Sequence, residues 1–259
     1  MGPRGPRGAD GTLPRGQSRA MPTAMPDPKS DPKSDPKADT VPAPGHERGE
    51  RGEHPEHPES RVLPRPPLVL ASTSRYRREL LQRLRLPFEV LAPEVDETPR
   101  PGEAPAALAQ RLALAKAQAV AALRPGAVVI GSDQVADLDG EPLGKPGSHE
   151  AAVAQLQRMS GRRLVFQTAV AVVRADTGFA QGLLAPVTVE VRTLDAAEIE
   201  RYLRLEQPYD CAGSAKSEGL GISLLAAVHS SDPTALVGLP LIHTCTLLRA
   251  AGLDPLAAN

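Results

Sequence analysis

The segment Leu68-Val69-Leu70-Ala71-Ser72-Thr73-Ser74-Arg75-Tyr76-Arg77-Arg78-Glu79-Leu80-Leu81 changes character twice. Four apolar residues, enough for a short buried strand, end in small hydroxyl side chains. The arginines that follow open a stretch in which Leu80, Leu81 and Leu84 share one helical face. A strand that runs into a loop and returns as a helix is the unit from which α/β domains are built. The loop also has the chemistry of an anion site. Ser72 and Ser74 bring hydroxyls beside approachable backbone N–H groups, and Ser74 stands where it can cap the helix, whose positive dipole end would face the anion. Arg77, in the first turn, works against that dipole, which points to a duty outside the helix such as bidentate phosphate recognition. An ordinary capped helix with a solvated basic face accounts for the same residues, and the segment alone leaves both readings open.

Working outward, Val-, Ile- and Leu-rich runs alternate with helical periods from Pro66 onward. A strand is predicted over 88–92. An Ala-rich helix follows over 104–123, with Leu108, Leu112 and Ala115 spaced for burial and Pro125-Gly126 as its stop. A strand over 127–130 is expected to run into a loop, Gly131-Ser132-Asp133-Gln134. Asp139-Gly140 then reads as the turn of a hairpin that leads to Gly144-Lys145-Pro146. Beyond it come a helix over 150–159, a long hairpin of 163–173 with 183–192, and a helix capped by Asp195 through Leu203. A glycine-rich stretch over 212–221 and an apolar helix over 238–251, with Pro240 at its start, close the chain. The sum is one elongated α/β unit, of one lobe or two, with a cleft lined by these loops.

Residues 1–60 read differently. They hold 12 of the 28 prolines and no Phe, Tyr or Trp, so they cannot bury enough apolar surface to offset chain entropy, and a disordered tail is expected. Gly2, Gly5, Gly8 and Gly11 keep a three-residue period over too few triplets for a triple helix. His54 and His57, among Glu53 and Glu56, could hold a metal weakly, but a solvated acidic run is the preferred reading. No apolar core of a signal peptide is present, and Met21, Met25 or a later codon could serve as the start. No stretch reaches the length of a membrane span. Cys211 and Cys245 lie far apart without metal-type spacing, so a reduced, cytoplasmic protein is expected. A net charge of −1 and 2% aromatic residues argue against binding of nucleic acid polymers.

Four polar clusters carry the candidate chemistry: 72–77, the acidic 93–98, 131–134 with 144–146, and 214–219. Together they supply cations and hydroxyls for phosphate oxygens, carboxylates for a hard metal, and a carboxylate to activate water. Glu97 and Asp133 would suffice for a magnesium ion that completes its shell with water and substrate phosphates. Lys116 and Lys145 could contact the phosphate chain as point charges. Asp133 as a turn carboxylate and Lys116 as a solvated helix residue are the plainer alternatives. No Walker motif, nucleophile elbow, zinc-type set or dinucleotide fingerprint is present, and His149, His229 and His243 stand near no convincing nucleophile turn, with His243 expected to be a core or interface residue.

In order along residues 66–256, the chain carries Leu-Ala-Ser-Thr-Ser-x-x-Arg-Arg, Pro-Glu-Val-Asp-Glu, Gly-Ser-Asp-Gln, Gly-Lys-Pro, Cys-Ala-Gly-Ser-x-Lys-Ser-Glu-Gly and Val-Gly-Leu-Pro-Leu. The series resembles the Maf family of nucleoside triphosphate pyrophosphatases. That resemblance implies an elongated mixed sheet flanked by helices, with a central nucleotide cleft and a fold related to inosine triphosphate pyrophosphatases. It also implies a divalent metal (magnesium, manganese or cobalt), a nucleoside triphosphate substrate and a possible homodimer. By motif position, Asp133 becomes the proton acceptor. Ser72, Ser74, Arg77, Lys116 and Lys145 become phosphate contacts, and Glu97 and Asp133 metal contacts. Tyr76, Gln134 and Glu218 occupy base-discriminating positions and are similar to the branch acting on 7-methyl-GTP rather than the dTTP/UTP branch. Physical chemistry favours that choice. N7-methylguanine is cationic and gains cation–π stacking on Tyr76, and Glu218 can accept its N1–H and N2–H. A pyrimidine pyrophosphatase of the same family and a nucleotide-responsive regulator of cell division are the alternative expectations.

Overall fold

The chain is described from a computed structural model that covers residues 65–257, together with Gly2. The expected tail of residues 1–60, its histidine pair and its candidate starts lie otherwise outside the described residues. Contacts divide the chain into units of residues 1–59 and 60–259, and the fold described belongs to the second.

Strand β1 (Leu68–Ala71) leads into helix α1 (Arg75–Gln82) and strand β2 (Glu89–Leu91); helix α2 (Pro105–Leu123), strand β3 (Val128–Leu138) and strand β4 (Glu141–Leu143) come next. Helix α3 (His149–Met159), strands β5 (Arg163–Arg174) and β6 (Phe179–Val191), helix α4 (Ala196–Glu206), strand β7 (Leu225–His229) and helix α5 (Leu241–Ala250) complete the domain. Seven strands form one sheet in the order β2-β1-β3-β5-β6-β7, with β4 paired to the far end of β3. The sheet is mixed: β1 runs parallel to both β2 and β3, whereas β3, β5, β6 and β7 are successively antiparallel. The expected α/β architecture and its mixed sheet are therefore present.

Local chemistry explains the element ends. Ser74 caps α1, Ser148 caps α3, and Asp195 with Glu198 closes a full capping box on α4. Pro240 begins α5 but has no side chain to cap it. Asp232, wholly buried, substitutes by accepting the N–H groups of Ile242 (2.8 Å) and His243 (3.2 Å). His243, expected as a core or interface residue, is partly exposed and so does not belong to the core; its Nδ1 lies 3.5 Å from the Asp232 carboxylate.

Two expectations require correction. Residues 131–134 are not a loop, because β3 continues through them to Leu138, and β5 pairs with it along Val129–Asp137. Isolated hydroxyl and acidic residues broke the apolar pattern there, yet the strand persists because its backbone has a complete antiparallel partner. Strand β7, between the glycine-rich stretch and the last helix, has no counterpart among the expected elements; its Leu-Ala-Ala-Val-His sequence is too short and too weakly alternating to announce itself.

Strand alternation determines what each face of β3 presents. Val129, Val135 and Asp133 face α2, in a core shared with Val69, Ala113 and Ala117, whereas Val128 and Ile130 pack with Leu70, Leu80, Leu247 and Leu248 on the opposite face. A third core, around Leu156, Phe166, Val187 and Leu203, sits beneath α3 and α4. On one edge, β3 pairs with β1 through Gly131 and with β4 from Ala136 onward. Residues 132–135 therefore have no strand beside them on that edge, and the sheet opens where its partner changes.

Candidate active site

A cleft of about 870 Å³ occupies this opening, and all the predicted site residues line it: Ser72, Ser74, Tyr76, Arg77, Glu97, Lys116, Asp133, Gln134, Lys145 and Glu218. Its centre is Lys116. This lysine is 5% exposed, on the buried side of α2, and its Nζ donates to Asp133 Oδ1 at 2.7 Å and lies 2.8 Å from Glu97 Oε1. The two carboxylates come from different elements, one from β3 and one from the segment after β2, and meet on a single ammonium. The reading of Lys116 as a solvated helix residue is thereby overturned, as is that of Asp133 as a turn carboxylate.

Gly131 makes that meeting possible. A Cβ at this position would stand 2.2 Å from the Ala113 carbonyl oxygen and 2.6 Å from the Ala117 nitrogen. Helix α2 thus rests directly on the β3 backbone one turn from Lys116 and two residues from Asp133. Glu97 is held from the other side. Arg111 Nε donates to Glu103 Oε1 at 2.6 Å, and its Nη2 donates to Glu103 Oε2 at 2.8 Å and to the Thr98 carbonyl at 3.1 Å. Glu103 also accepts the Arg100 N–H at 3.0 Å. The Arg111 guanidinium holds the Glu103 carboxyl down at about 2, and the pair fastens the segment after Glu97 to α2. Neither residue stood out in the sequence, because an Arg and a Glu eight positions apart around the start of a helix form no motif.

Across the cleft, the loop after β1 is arranged by its own hydroxyls. Ser72 Oγ accepts the Ser74 N–H at 3.1 Å, and Ser74 Oγ accepts the Arg77 N–H at 3.4 Å. Each hydroxyl retains its proton as a donor, and the first-turn N–H groups of Arg75 and Tyr76 have no helical carbonyl to receive them. Arg77 Nε donates to the Gly238 carbonyl at 2.9 Å, and the residue lines the cleft. Desolvation lowers its pKa, against the opposing pull of Asp133 and Glu97. The same Gly238 carbonyl accepts from Ser132 Oγ at 2.9 Å. Gly238, at φ +118°, has a backbone conformation that side chains rarely tolerate, and this conformation ends the turn that presents its carbonyl.

Residues 67–251 match the family described as Maf-like protein. The chain belongs to the Maf family. It is 71% identical over 186 residues to the 7-methyl-GTP pyrophosphatase of Polaromonas sp., an alignment covering 72% of this chain and 85% of that protein. To the protein of the same name from Albidiferax ferrireducens it is 66% identical over 191 residues, 74% of this chain and 96% of the relative. With the namesake from Thiobacillus denitrificans the identity is 60% over 191 residues, covering 74% and 95% of the two chains.

In this Maf protein the far end of the cleft is built by Tyr76, Asp210, Cys211, Ala215 and Glu218. The Arg75 guanidinium lies 4.7 Å from the Tyr76 ring centroid, and its Nη2 donates to the Tyr76 hydroxyl at 2.7 Å. One arginine thus covers the ring and ties down its edge. Glu218 is exposed, and among the described residues it receives only a 3.4 Å contact from Ser217 Oγ. Asp210 adds a second acid that no sequence pattern singled out. Burial pushes the Cys211 thiol up to about 11, so it stays a neutral wall.

Two residues of the polar clusters have their side-chain nitrogens engaged within the fold. Gln134 Nε2 donates to Thr168 Oγ1 (2.9 Å) and to the carbonyls of Ala235 and Leu236 (both 3.0 Å), so its amide nitrogen braces the turn before Gly238. Lys216 turns away from the cleft to pair with Glu206, which also accepts the Leu220 N–H at 2.8 Å.

The donor set fits a hard divalent cation. Two carboxylates already converge on one positive centre, and no group of three or more His, Cys, Asp or Glu suited to an all-protein cage occurs among the described residues. No helix among the described residues is long and apolar enough to cross a membrane.

Proposed function

We propose that this Maf protein hydrolyses 7-methyl-GTP to 7-methyl-GMP and diphosphate, clearing a modified nucleotide from the cytoplasm. The observation that carries the reading is the Glu97–Lys116–Asp133 cluster facing Ser72, Ser74 and Arg77 across one cleft, with Tyr76 and two acids at its end. The triphosphate lies along the loop after β1. Arg77, with its Nε fixed, offers a planar pair of donors to phosphate oxygens, Ser72 and Ser74 add hydroxyl donors, and Lys145 approaches from the opposite rim. Asp133 orients a water and accepts its proton as the oxygen bonds to the α-phosphorus. The bond from that phosphorus to the bridging oxygen breaks, and diphosphate leaves. Lys116, donating to Asp133 Oδ1 at 2.7 Å, keeps the carboxylate pointed at the water. Glu97 and Asp133 would hold the divalent cation (magnesium, manganese or cobalt), which neutralises charge on the phosphates when bound. At the far end, the free face of Tyr76 stacks on the cationic base while Glu218 accepts its N1–H and N2–H. Two unpaired thiols, Cys211 and Cys245, suit a reducing compartment.

Residues 66–256 are proposed as the complete catalytic unit. The test is diphosphate release from 7-methyl-GTP, GTP, dTTP and UTP with each of the three metals, in the full chain and in a form lacking residues 1–60. Preference for 7-methyl-GTP, equal in both forms and reduced by Tyr76→Ala and Glu218→Gln, is the expected result. Preference for dTTP or UTP would defeat the substrate assignment.

A further inference from the structure

Helix α3 contributes no side chain to the cleft wall, yet one of its residues touches both loops that form the rim. Gln155 Nε2 donates to the Gly144 carbonyl at 3.0 Å, one residue before Lys145. Its Oε1 accepts the Ser214 hydroxyl at 2.7 Å. Ser214 is wholly buried and has φ +55°, a left-handed conformation uncommon for a residue with a side chain. It remains there because both its polar ends are engaged: the hydroxyl by Gln155, and the carbonyl by the Tyr202 hydroxyl, which donates to it at 3.1 Å. Tyr202, also buried, accepts the Lys216 N–H at 3.1 Å and so sets the start of the stretch that carries Glu218. A second link joins the same loops, since Gly213 N donates to the Gly144 carbonyl at 3.4 Å.

The amide of Gln155 is thus used at both ends, one for the loop that brings Lys145 to the phosphates and one for the loop that brings Glu218 to the base. We infer that Gln155 is a positioning residue for both ends of the substrate, its amide N–H holding the Lys145 loop and its amide oxygen holding the Glu218 loop. The inference rests on the proposed substrate placement and adds to it a residue outside the cleft that sets selectivity. A side chain with only a donor, or only an acceptor, would serve one loop and release the other.

The test separates the two halves by using a probe for each as a competitive inhibitor: inorganic triphosphate for the phosphate end and 7-methylguanosine for the base end. Gln155→Ala is expected to raise both inhibition constants and to lower the 7-methyl-GTP over GTP ratio of kcat/KM, each by about 10-fold. Gln155→Glu keeps the acceptor for Ser214 but loses the donor for Gly144, so it should weaken triphosphate and leave 7-methylguanosine near the wild-type value. Ser214→Ala should do the reverse. Wild-type constants in Gln155→Ala, or the same pattern in Gln155→Glu and Ser214→Ala, would overturn this division of the amide between the two loops. If Gln155→Ala fails to fold, the opposed pair of variants still decides. A wild-type enzyme that prefers another base defeats the substrate assignment instead, and the nucleoside of that base then replaces 7-methylguanosine in the same comparison.

Discussion

Gly131→Ala adds one methyl group to the floor of the site, and its effect can be worked from the backbone. The new Cβ would meet the Ala113 carbonyl oxygen at 2.2 Å and the Ala117 nitrogen at 2.6 Å, whereas real Cβ contacts essentially never fall under 3.0 Å. Both obstacles are backbone of α2, so no rotamer change relieves them. Either the helix or the strand must retreat by about 1 Å to restore ordinary van der Waals contact. Overpacking of this kind costs roughly 1–3 kcal/mol. Lys116 travels with α2 and Asp133 stays on β3, so their 2.7 Å hydrogen bond stretches past useful length. A misplacement of about 1 Å at a catalytic group can cost around 100-fold in rate. The assay is steady-state diphosphate release together with a urea unfolding curve. Gly126→Ala serves as the control, because a Cβ there meets nothing within 4 Å and φ lies outside the positive region. The expected result is a variant that remains folded in buffer with a lowered urea midpoint, a kcat down by about two orders of magnitude and the control unchanged. A Gly131→Ala enzyme with wild-type kcat would refute the claim that close packing of α2 on β3 sets the geometry of Lys116 and Asp133.

Three further outcomes follow from the same geometry. Asp133→Asn removes the proposed proton acceptor and should cut kcat by about 10²–10⁴-fold while circular dichroism stays native. Glu103, whose pKa is held down at about 2 against an ordinary 4.5, binds its proton less readily folded than unfolded. Its pairing with Arg111 therefore stabilises the domain above about pH 4.5 and is lost as the pH falls towards 2. Glu103→Gln should be less stable than wild type at pH 7, and the two urea midpoints should converge on acidification; a gap constant with pH would contradict the pairing. Arg75→Ala uncovers the second face of Tyr76 and removes a competing cation, so the KM for 7-methyl-GTP should fall by about 2–5-fold relative to GTP, a change within the range of one exposed cation–π contact. A rise in that KM would show Arg75 to be a binding group instead.

The first strand, the Ser74 cap, the Ala-rich helix and the long hairpin were legible because each combines a period with a punctuating residue, such as Pro125-Gly126 or Asp195. The site residues were legible for a different reason: they fall in short polar clusters that interrupt apolar runs. The same interruption misled the reading of 131–134, since a strand that carries Ser, Asp and Gln into a cleft looks like a loop until its partner β5 is known. Long-range supports left no local trace. Arg111 with Glu103, Gln155 with Ser214, and Asp232 at the start of α5 are pairings made by the fold, and each partner alone is an unremarkable polar residue. Gly131 was visible as part of a motif, but its use as a contact surface for α2 could be seen only once the helix was in place.

The Gly238 carbonyl accepts from Arg77 and from Ser132, residues 161 and 106 positions earlier in the chain. During synthesis, the strand and helix that carry Arg77 are made long before the turn that fixes its guanidinium. A nascent domain can therefore acquire most of its sheet while Arg77, the arginine proposed to bind phosphate, remains without an anchor. The proposed hydrolysis then waits until the turn at Gly238 has been made and has folded back against α1.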